Sequence, residues 1–406
     1  MSVSLCIHRG ADTIGGTCIE VIASNGDRVL LDLGLPLDAE NNDAALLPDV
    51  RGLTERTPDL LALIISHPHQ DHYGLGKHID PAIPVYMGAA ANRIMQACVS
   101  FGLPDAFQFQ NVCEMKGFET FNLGTFKIMP YPVDHAGYDS YALLIEADGK
   151  RIFYTGDFRA HGRKGKLFDH LLKRPPRNVD VLLMEGSALG RLNPEEEFES
   201  ESALEDKFHE VFKATRGLVL VHPSSQNIDR IVSIYRAAKK SGRILVMGGY
   251  TGYIIKVLDN PNIPNFTWAD VKKIVSTPTG KRHEITADTI AESPDKYVYI
   301  IGGKGLPMIE KAGLLTSEAH YVYSMWSGYK QTSAGKMIAK MESAGVPMSD
   351  IHTSGHADVP TLRKFVEAIK PSRLVPIHTF NPEQFEELFG QLATVERHDN
   401  NEVFEV

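Results

Sequence analysis

A continuous apolar run, Leu60 to Ile65, leads straight into Ser66-His67-Pro68-His69-Gln70-Asp71-His72. No other stretch restricts the fold as strongly. An apolar run without alternation is expected of a strand buried on both faces. Three imidazoles and a carboxylate then crowd the loop that leaves it. These are side chains that hold zinc or manganese. Without a cation they would bring polar groups together where water cannot solvate them. A lone histidine here would read as a turn residue, whereas the HxHxDH spacing reads as a metal site.

Further candidate ligands follow other apolar strands. His135 comes after Phe126–Val133, Asp157 after Arg151–Thr155, and His378 after Arg373–Ile377. Taken singly, Asp157 also suits a turn and His378 a strand end. Taken together, the seven divide into His67, His69 and His135 for one ion and Asp71, His72 and His378 for a second, with Asp157 bridging. Two cations about 3.5–4 Å apart can clamp both oxygens of an in-line displacement and activate the water between them.

The chain changes character along its length. Up to about residue 190 it reads as successive strands: Arg28–Leu33, Leu60–Ser66, Tyr141–Ala147, Arg151–Thr155 and Val179–Met184. Asp148-Gly149 is a two-residue hairpin signal. From about 200, after an acidic stretch (Glu195–Glu210) read as a solvated helix, strands and helices alternate. Gly217–His222 is followed by a helix over 227–240, then Arg243–Met247, Lys296–Ile301 and His320–Met325, which argues for βαβ units. A strand Asp350–Thr353, a helix 358–369 and the strand Arg373–Ile377 close the chain. At about 150 residues per domain, 406 residues allow two or three domains. The absence of a linker predicts that one domain is inserted in the other, with boundaries 1–200, 201–345 and 346–406.

The ordered motifs HPHQDH, PVDHAG, TGDF and the early Asp32 of LLDLG resemble those of metallo-β-lactamase-fold hydrolases. Glu185 in LLMEGS, His356 in HTSGHA and His378 in LVPIH resemble the three motifs of the β-CASP nucleases, most closely ribonuclease J. The resemblance covers nearly the whole chain. It implies an α/β fold, a metallo-β-lactamase αββα sandwich with an inserted α/β β-CASP domain. It implies that Asp32 orients a ligand histidine, and that two divalent ions, zinc or alternatively manganese, occupy the site. The expected reaction is hydrolysis of RNA phosphodiesters by a hydroxide activated between the two metals. Asp71 orients or deprotonates the water. His356, whose ordinary pKa near 6.5 suits a proton donor, acts as general acid and Glu185 pairs with it. RNA is favoured over DNA because the position of His378 is typically histidine in RNA-cleaving members and apolar in Artemis-type DNA nucleases. A DNA nuclease and a small-molecule metallo-hydrolase are the alternatives. Ser224, Ser225 and Lys304, the last in a glycine-rich turn, are candidate phosphate contacts, and ordinary turn and cap roles suit them equally.

A formal net charge of −9 excludes binding of nucleic acid by bulk positive charge. Metal charge, and the basic stretch from Arg159 to Arg177, would have to hold an RNA partner, with single-stranded DNA as the alternative. Tyr250, Tyr253, Trp326 and Tyr329 are candidates to stack on bases, although packing suits each of them too. Four scattered cysteines without CxxC spacing, no long apolar segment and no basic-then-apolar start predict a cytoplasmic protein with reduced thiols and no membrane contact. The chain runs about 28 residues past His378. It is therefore expected to lack ribonuclease J's separate C-terminal domain, which leaves a homo-oligomer open.

Overall fold

Leu60–Ile64 is a strand with parallel neighbours on both sides, Arg28–Leu31 and Val85–Gly88, which is why its apolar run does not alternate. The computed structural model describes residues 2–332 and 334–406. The chain divides into two compact units, Met1–Phe198 with Gly355–Val406, and Glu199–Ser354.

The first unit holds two seven-stranded sheets. One runs in the order Val403–Glu405, Ser4–Arg9, Cys18–Ile22, Arg28–Leu31, Leu60–Ile64, Val85–Gly88, Val112–Met115. The other runs Thr394–Val395, Arg373–Ile377, Val181–Glu185, Lys150–Tyr154, Tyr141–Ala147, Phe126–Pro132, Phe121–Leu123. The hairpin turn at Asp148-Gly149 has φ of 50° and 79°, the left-handed pair that a two-residue loop between twisted strands demands. Leu5, Val21, Leu31 and Ile64 from one sheet and Leu143, Ile145, Leu183 and Val375 from the other share one buried core. Alternate residues of the first sheet (Leu30, Leu63, Val85) pack outward with Ala91 and Met95 of the helix Ala89–Ser100. On the far side Leu144, Phe153 and Leu182 meet Phe168 of Lys166–Lys173, Phe365 of Val359–Ile369 and Phe385 of Gln384–Phe389. The layers are therefore helix, sheet, sheet, helix.

The second unit is built on a wholly parallel seven-stranded sheet, ordered Glu284–Ile285, Val271–Ile274, Ile244–Met247, Tyr297–Ile300, Val219–Pro223, His320–Ser324, Met348–Asp350. Two expectations need correction here. The acidic stretch forms a helix only from Glu201 to Ala214, capped by Ser200, and it is not simply solvated. Leu204, Phe208 and Phe212, each four residues apart, make a buried stripe, and Glu201 is itself buried, 2.9 Å from Arg230. The strand near 350 is Met348–Asp350 rather than Asp350–Thr353, and it pairs with His320–Ser324 at the sheet edge. Residues 346–354 thus belong to this unit and the return begins at Gly355. Among the described residues no helix is long and apolar enough to cross a membrane.

Candidate metal centre

Three adjacent parallel strands of the second sheet, Lys150–Tyr154, Val181–Glu185 and Arg373–Ile377, end at one edge. They deliver Asp157, Glu185 and His378 there. The first sheet contributes Asp32, directly after Arg28–Leu31, and the motif after Leu60–Ile64. His69 stands at the N-cap of the short helix Gln70–Tyr73, which carries Asp71 and His72. Gly34 lets this helix lie against the neighbouring turn, since a Cβ there would overlap the Asp71 carbonyl oxygen at 1.7 Å. Asp32 and His378 take left-handed φ of 60° and 50°. A non-glycine residue seldom adopts such values, which cost of order 1 kcal/mol or more and tend to mark sites where side-chain placement matters.

All seven predicted ligands come together in the first unit. His67, His69 and His135 form one potential cation-holding group, and Asp71, His72, Asp157 and His378 another. Asp157 Oδ2 lies 3.1 Å from His72 Nε2, 3.6 Å from both His67 Nε2 and His378 Nε2, and 4.0 Å from His135 Nε2. Asp71 Oδ2 lies 3.6 Å from His378 Nε2 and 3.8 Å from His72 Nε2. His135 Nε2 and His69 Nδ1 face one another at 3.1 Å.

Hydrogen bonds on the other ring nitrogens set the tautomers. His72 Nδ1 donates to Asp32 Oδ2 at 2.7 Å, and His135 Nδ1 to the Gly355 carbonyl at 2.7 Å. Ser66 Oγ donates to Asp32 Oδ2 at 2.7 Å, so the proton between Ser66 and His67 Nδ1, 2.9 Å apart, sits on the imidazole. His378 Nδ1 meets Thr17 Oγ1 at 2.8 Å. In the neutral rings of His67 and His135 the inward-facing Nε2 is therefore the lone-pair nitrogen, whereas His378 Nδ1 also accepts from the Gly15 amide at 3.4 Å. Nε2 of His67, His72 and His378 and both oxygens of Asp157 are buried without a well-aligned hydrogen bond. Buried polar atoms rarely go unpartnered, and five in one cluster are accounted for by a cation among them. Nitrogen and carboxylate donors in this number suit divalent ions of the zinc and manganese kind, and the cluster is a divalent-metal site.

The electrostatics agree. Burial, with the neighbouring imidazoles, holds His67 and His135 well below the ordinary histidine pKa and lowers His69 and His378, so these rings are neutral and able to ligate. For His72 burial also opposes charge, but Asp157, Asp32 and Asp71 outweigh it and hold the ring well above its ordinary value. Burial works against ionisation of Asp157 too, yet His378, His72 and His356 pull its carboxyl well below the usual range. The carboxylates thus draw positive charge into the centre, which falls on His72 in the absence of a cation and which a bound metal would supply instead.

His356 Nδ1 sits 3.0 Å from Glu185 Oε2 and 3.7 Å from Asp157 Oδ2. Burial lowers its pKa, but Glu185 and Asp157 raise it above the ordinary value overall. Its ring also falls within ligating range of the His135–Asp157 pair, but its Nδ1 is engaged by Glu185.

Other predicted residues lie elsewhere. Ser224, Ser225 and Lys304 are in the second unit, at the ends of the adjacent strands Val219–Pro223 and Tyr297–Ile300, and Ser225 Oγ bonds Thr251 Oγ1 at 2.8 Å. The basic stretch does not form an open wall throughout, because Arg159 is fully buried with Asp134 and Lys164 Nζ donates to the His135 carbonyl at 3.0 Å. Sequence reasoning passed over Ser66, Thr17 and Tyr154, whose hydroxyl reaches Asp32 Oδ2 at 2.5 Å. Only Ser66, inside the histidine motif, carried any sequence signal. It also passed over Phe380, 59% exposed two residues beyond His378.

Residues 27–241 match the model of the β-lactamase superfamily domain, and residues 347–387 that of the Zn-dependent metallo-hydrolase RNA specificity domain. Ribonuclease J of Sinorhizobium meliloti is 25% identical over 356 residues, 82% of this chain and 60% of the relative. Ribonuclease J of Mycobacterium tuberculosis is 24% identical over 395 residues, 89% of this chain and 66% of the relative. The chain thus spans about three fifths to two thirds of the length of these relatives. A crystal structure of a protein of unknown function from Enterococcus faecalis V583 superposes over the full length of both chains, with a TM-score of 0.83 and 20% identity, and shares the fold. With the family model matching more than half of its residues, the chain belongs to the β-lactamase superfamily, as a ribonuclease J-like member of its β-CASP branch.

Proposed function

We propose that the protein is a metal-dependent ribonuclease that hydrolyses phosphodiester bonds in RNA. The observation that carries this reading is the buried set of unpartnered nitrogen and oxygen atoms around Asp157, with the His356–Glu185 pair beside it. The match to an RNA specificity domain and the likeness to ribonuclease J favour RNA as the polymer. His67, His69 and His135 would hold one ion and Asp71, His72 and His378 a second, with Asp157 between. Zinc is the ion this reading favours and manganese the alternative. When bound, such ions neutralise charge on phosphoryl oxygens and make water acidic enough to attack.

The chain's own groups supply the rest. Asp71 is the more accessible of the two carboxylates and orients or deprotonates the attacking water. Asp32 fixes His72 through one bond and His67 through the Ser66 hydroxyl. Glu185 engages Nδ1 of His356, so the proton for the leaving oxygen comes from Nε2. The raised pKa of His356 keeps that proton in place near neutral pH. Ser224, Ser225 and Lys304 remain proposed phosphate contacts. The test is cleavage of end-labelled single-stranded RNA and matched DNA by chelator-stripped protein reloaded with zinc or manganese, with metal content measured alongside. Metal-dependent cleavage of RNA is expected. Activity on DNA alone would reverse the choice of polymer, and full activity without metal would remove the mechanism.

A further inference from the structure

The second unit exposes an aromatic pair where its strand His320–Ser324 ends. Trp326 and Tyr329 are each 46% exposed, and their rings meet edge to face at 5.4 Å and 86°. An exposed indole is ordinarily mobile, but this one is held. A methyl group at Gly328 would sit 2.4 Å from the indole carbons Cη2 and Cζ3, so the ring lies directly on the Gly328 backbone. The turn is tied back to the strand, since Tyr323 Oη donates to the Trp326 carbonyl at 2.6 Å and the Lys330 ammonium stands 5.0 Å over the Tyr323 ring. Glycine under one face and tyrosine at the edge leave a flat apolar surface already fixed in orientation.

The same sheet edge carries the turns and helix start that follow three other parallel strands: 248–253, which opens the helix Gly249–Leu258, 224–227 and 302–305. With 326–331 these turns contain two lysines, Lys304 and Lys330, and no carboxylate, in a chain of net charge −9. Asp350, at the end of the edge strand, pairs with Lys330, while Lys304 is exposed. A preset aromatic face on an edge where Lys304 stands exposed matches an unpaired base attached to a phosphate backbone.

We infer that the Trp326 indole is a stacking platform for an unpaired base of single-stranded RNA, an inference that rests on the ribonuclease reading above. The chain has two tryptophans, and Trp268 packs on Tyr235 at 5.1 Å, so Trp268→Phe leaves Trp326 as the sole reporter. Titration of the metal-loaded, full-length protein with a fully 2′-O-methylated oligoadenylate should quench its emission, and the same strand in a duplex should quench it far less. Stacking on an aromatic ring contributes about 1–3 kcal/mol per base, so Trp326→Ala should weaken binding about 5- to 150-fold. Gly328→Ala, which displaces the ring, should weaken it in the same direction, and Trp326→Phe should retain part of the affinity. If the unaltered protein binds and cuts RNA while Trp326→Ala and Gly328→Ala bind within twofold of it, the platform is refuted and the ribonuclease reading stands. If Trp326→Ala leaves RNA binding unchanged but lowers the molecular mass in solution, the indole packs on a second copy and the inference is overturned. If the unaltered protein neither binds nor cuts RNA, both readings fall.

Discussion

Asp32 is the residue whose replacement tests the centre most directly. Its side chain is fully buried and accepts four hydrogen bonds: from the Ser66 amide, the Ser66 hydroxyl, His72 Nδ1 and the Tyr154 hydroxyl, at 2.5–2.7 Å. Asp32→Ala would strand four donors. At about 1–3 kcal/mol each, that loss approaches the whole stability of a typical domain, about 5–15 kcal/mol. Asp32→Asn is the informative change. The amide oxygen can replace Oδ2, which serves Ser66 Oγ, His72 and Tyr154, but its NH2 group then faces the Ser66 amide, donor against donor. One backbone bond and the negative charge beside His72 are lost, a penalty of about 2–4 kcal/mol. For a unit of this size that is a fall in Tm of about 5–15 °C. Metal affinity should fall about 10- to 100-fold, the usual consequence of losing a group that orients a ligand histidine. Differential scanning fluorimetry in chelator measures the first effect and competition with a fluorescent zinc indicator the second. If Asp32→Asn binds metal within twofold of the unaltered protein and melts within 1 °C of it, Asp32 does not orient His72 and the account of the tautomers is wrong.

Four further outcomes can be measured. His69→Ala and His378→Ala should each lower the bound metal per chain, measured by mass spectrometry of dialysed protein, and an unchanged stoichiometry would exclude that residue as a ligand. His356→Ala should retain metal yet lose about 10²- to 10⁴-fold in kcat, and Glu185→Gln should move the pH–rate profile to lower pH, because the carboxylate that raises the His356 pKa is gone. His8, away from the centre, is pulled down by burial but raised to about 9 overall by Cys6 and Glu20. Its folded pKa lies above its unfolded one, so this contribution to stability is complete below about pH 6.5 and is lost as pH rises through about 9. Stability should therefore decline between pH 6.5 and 9.5, and less steeply in His8→Gln; parallel melting curves in the two proteins would contradict this.

The histidine motif was legible because it is local: four potential ligands fall within six residues at the end of one buried strand. The βαβ rhythm of the second unit was legible because alternation of strand and helix is a local property too. The helix Glu201–Ala214 was misjudged because charge concealed its stripe of Leu204, Phe208 and Phe212. The buried Arg159–Asp134 pair was misjudged because a run of basic residues says nothing about which of them turns inward.

What the chain alone determined, then, is which residue types stand at strand ends, and hence what chemistry is available. Only the tertiary structure decided that these ends meet. Three adjacent parallel strands terminate on one edge, which puts Asp157, Glu185 and His378 side by side although more than 200 residues separate the first from the last. The tertiary structure also decided the protonation pattern. Thr17, Ser66, Tyr154 and the Gly355 carbonyl are ordinary groups in sequence, and they acquire a role only when folding places a ring nitrogen or the Asp32 carboxylate within hydrogen-bond reach. Hydrogen bonds act over about 3 Å, and proximity on that scale between distant segments is a property of packing, to which local sequence pattern is blind.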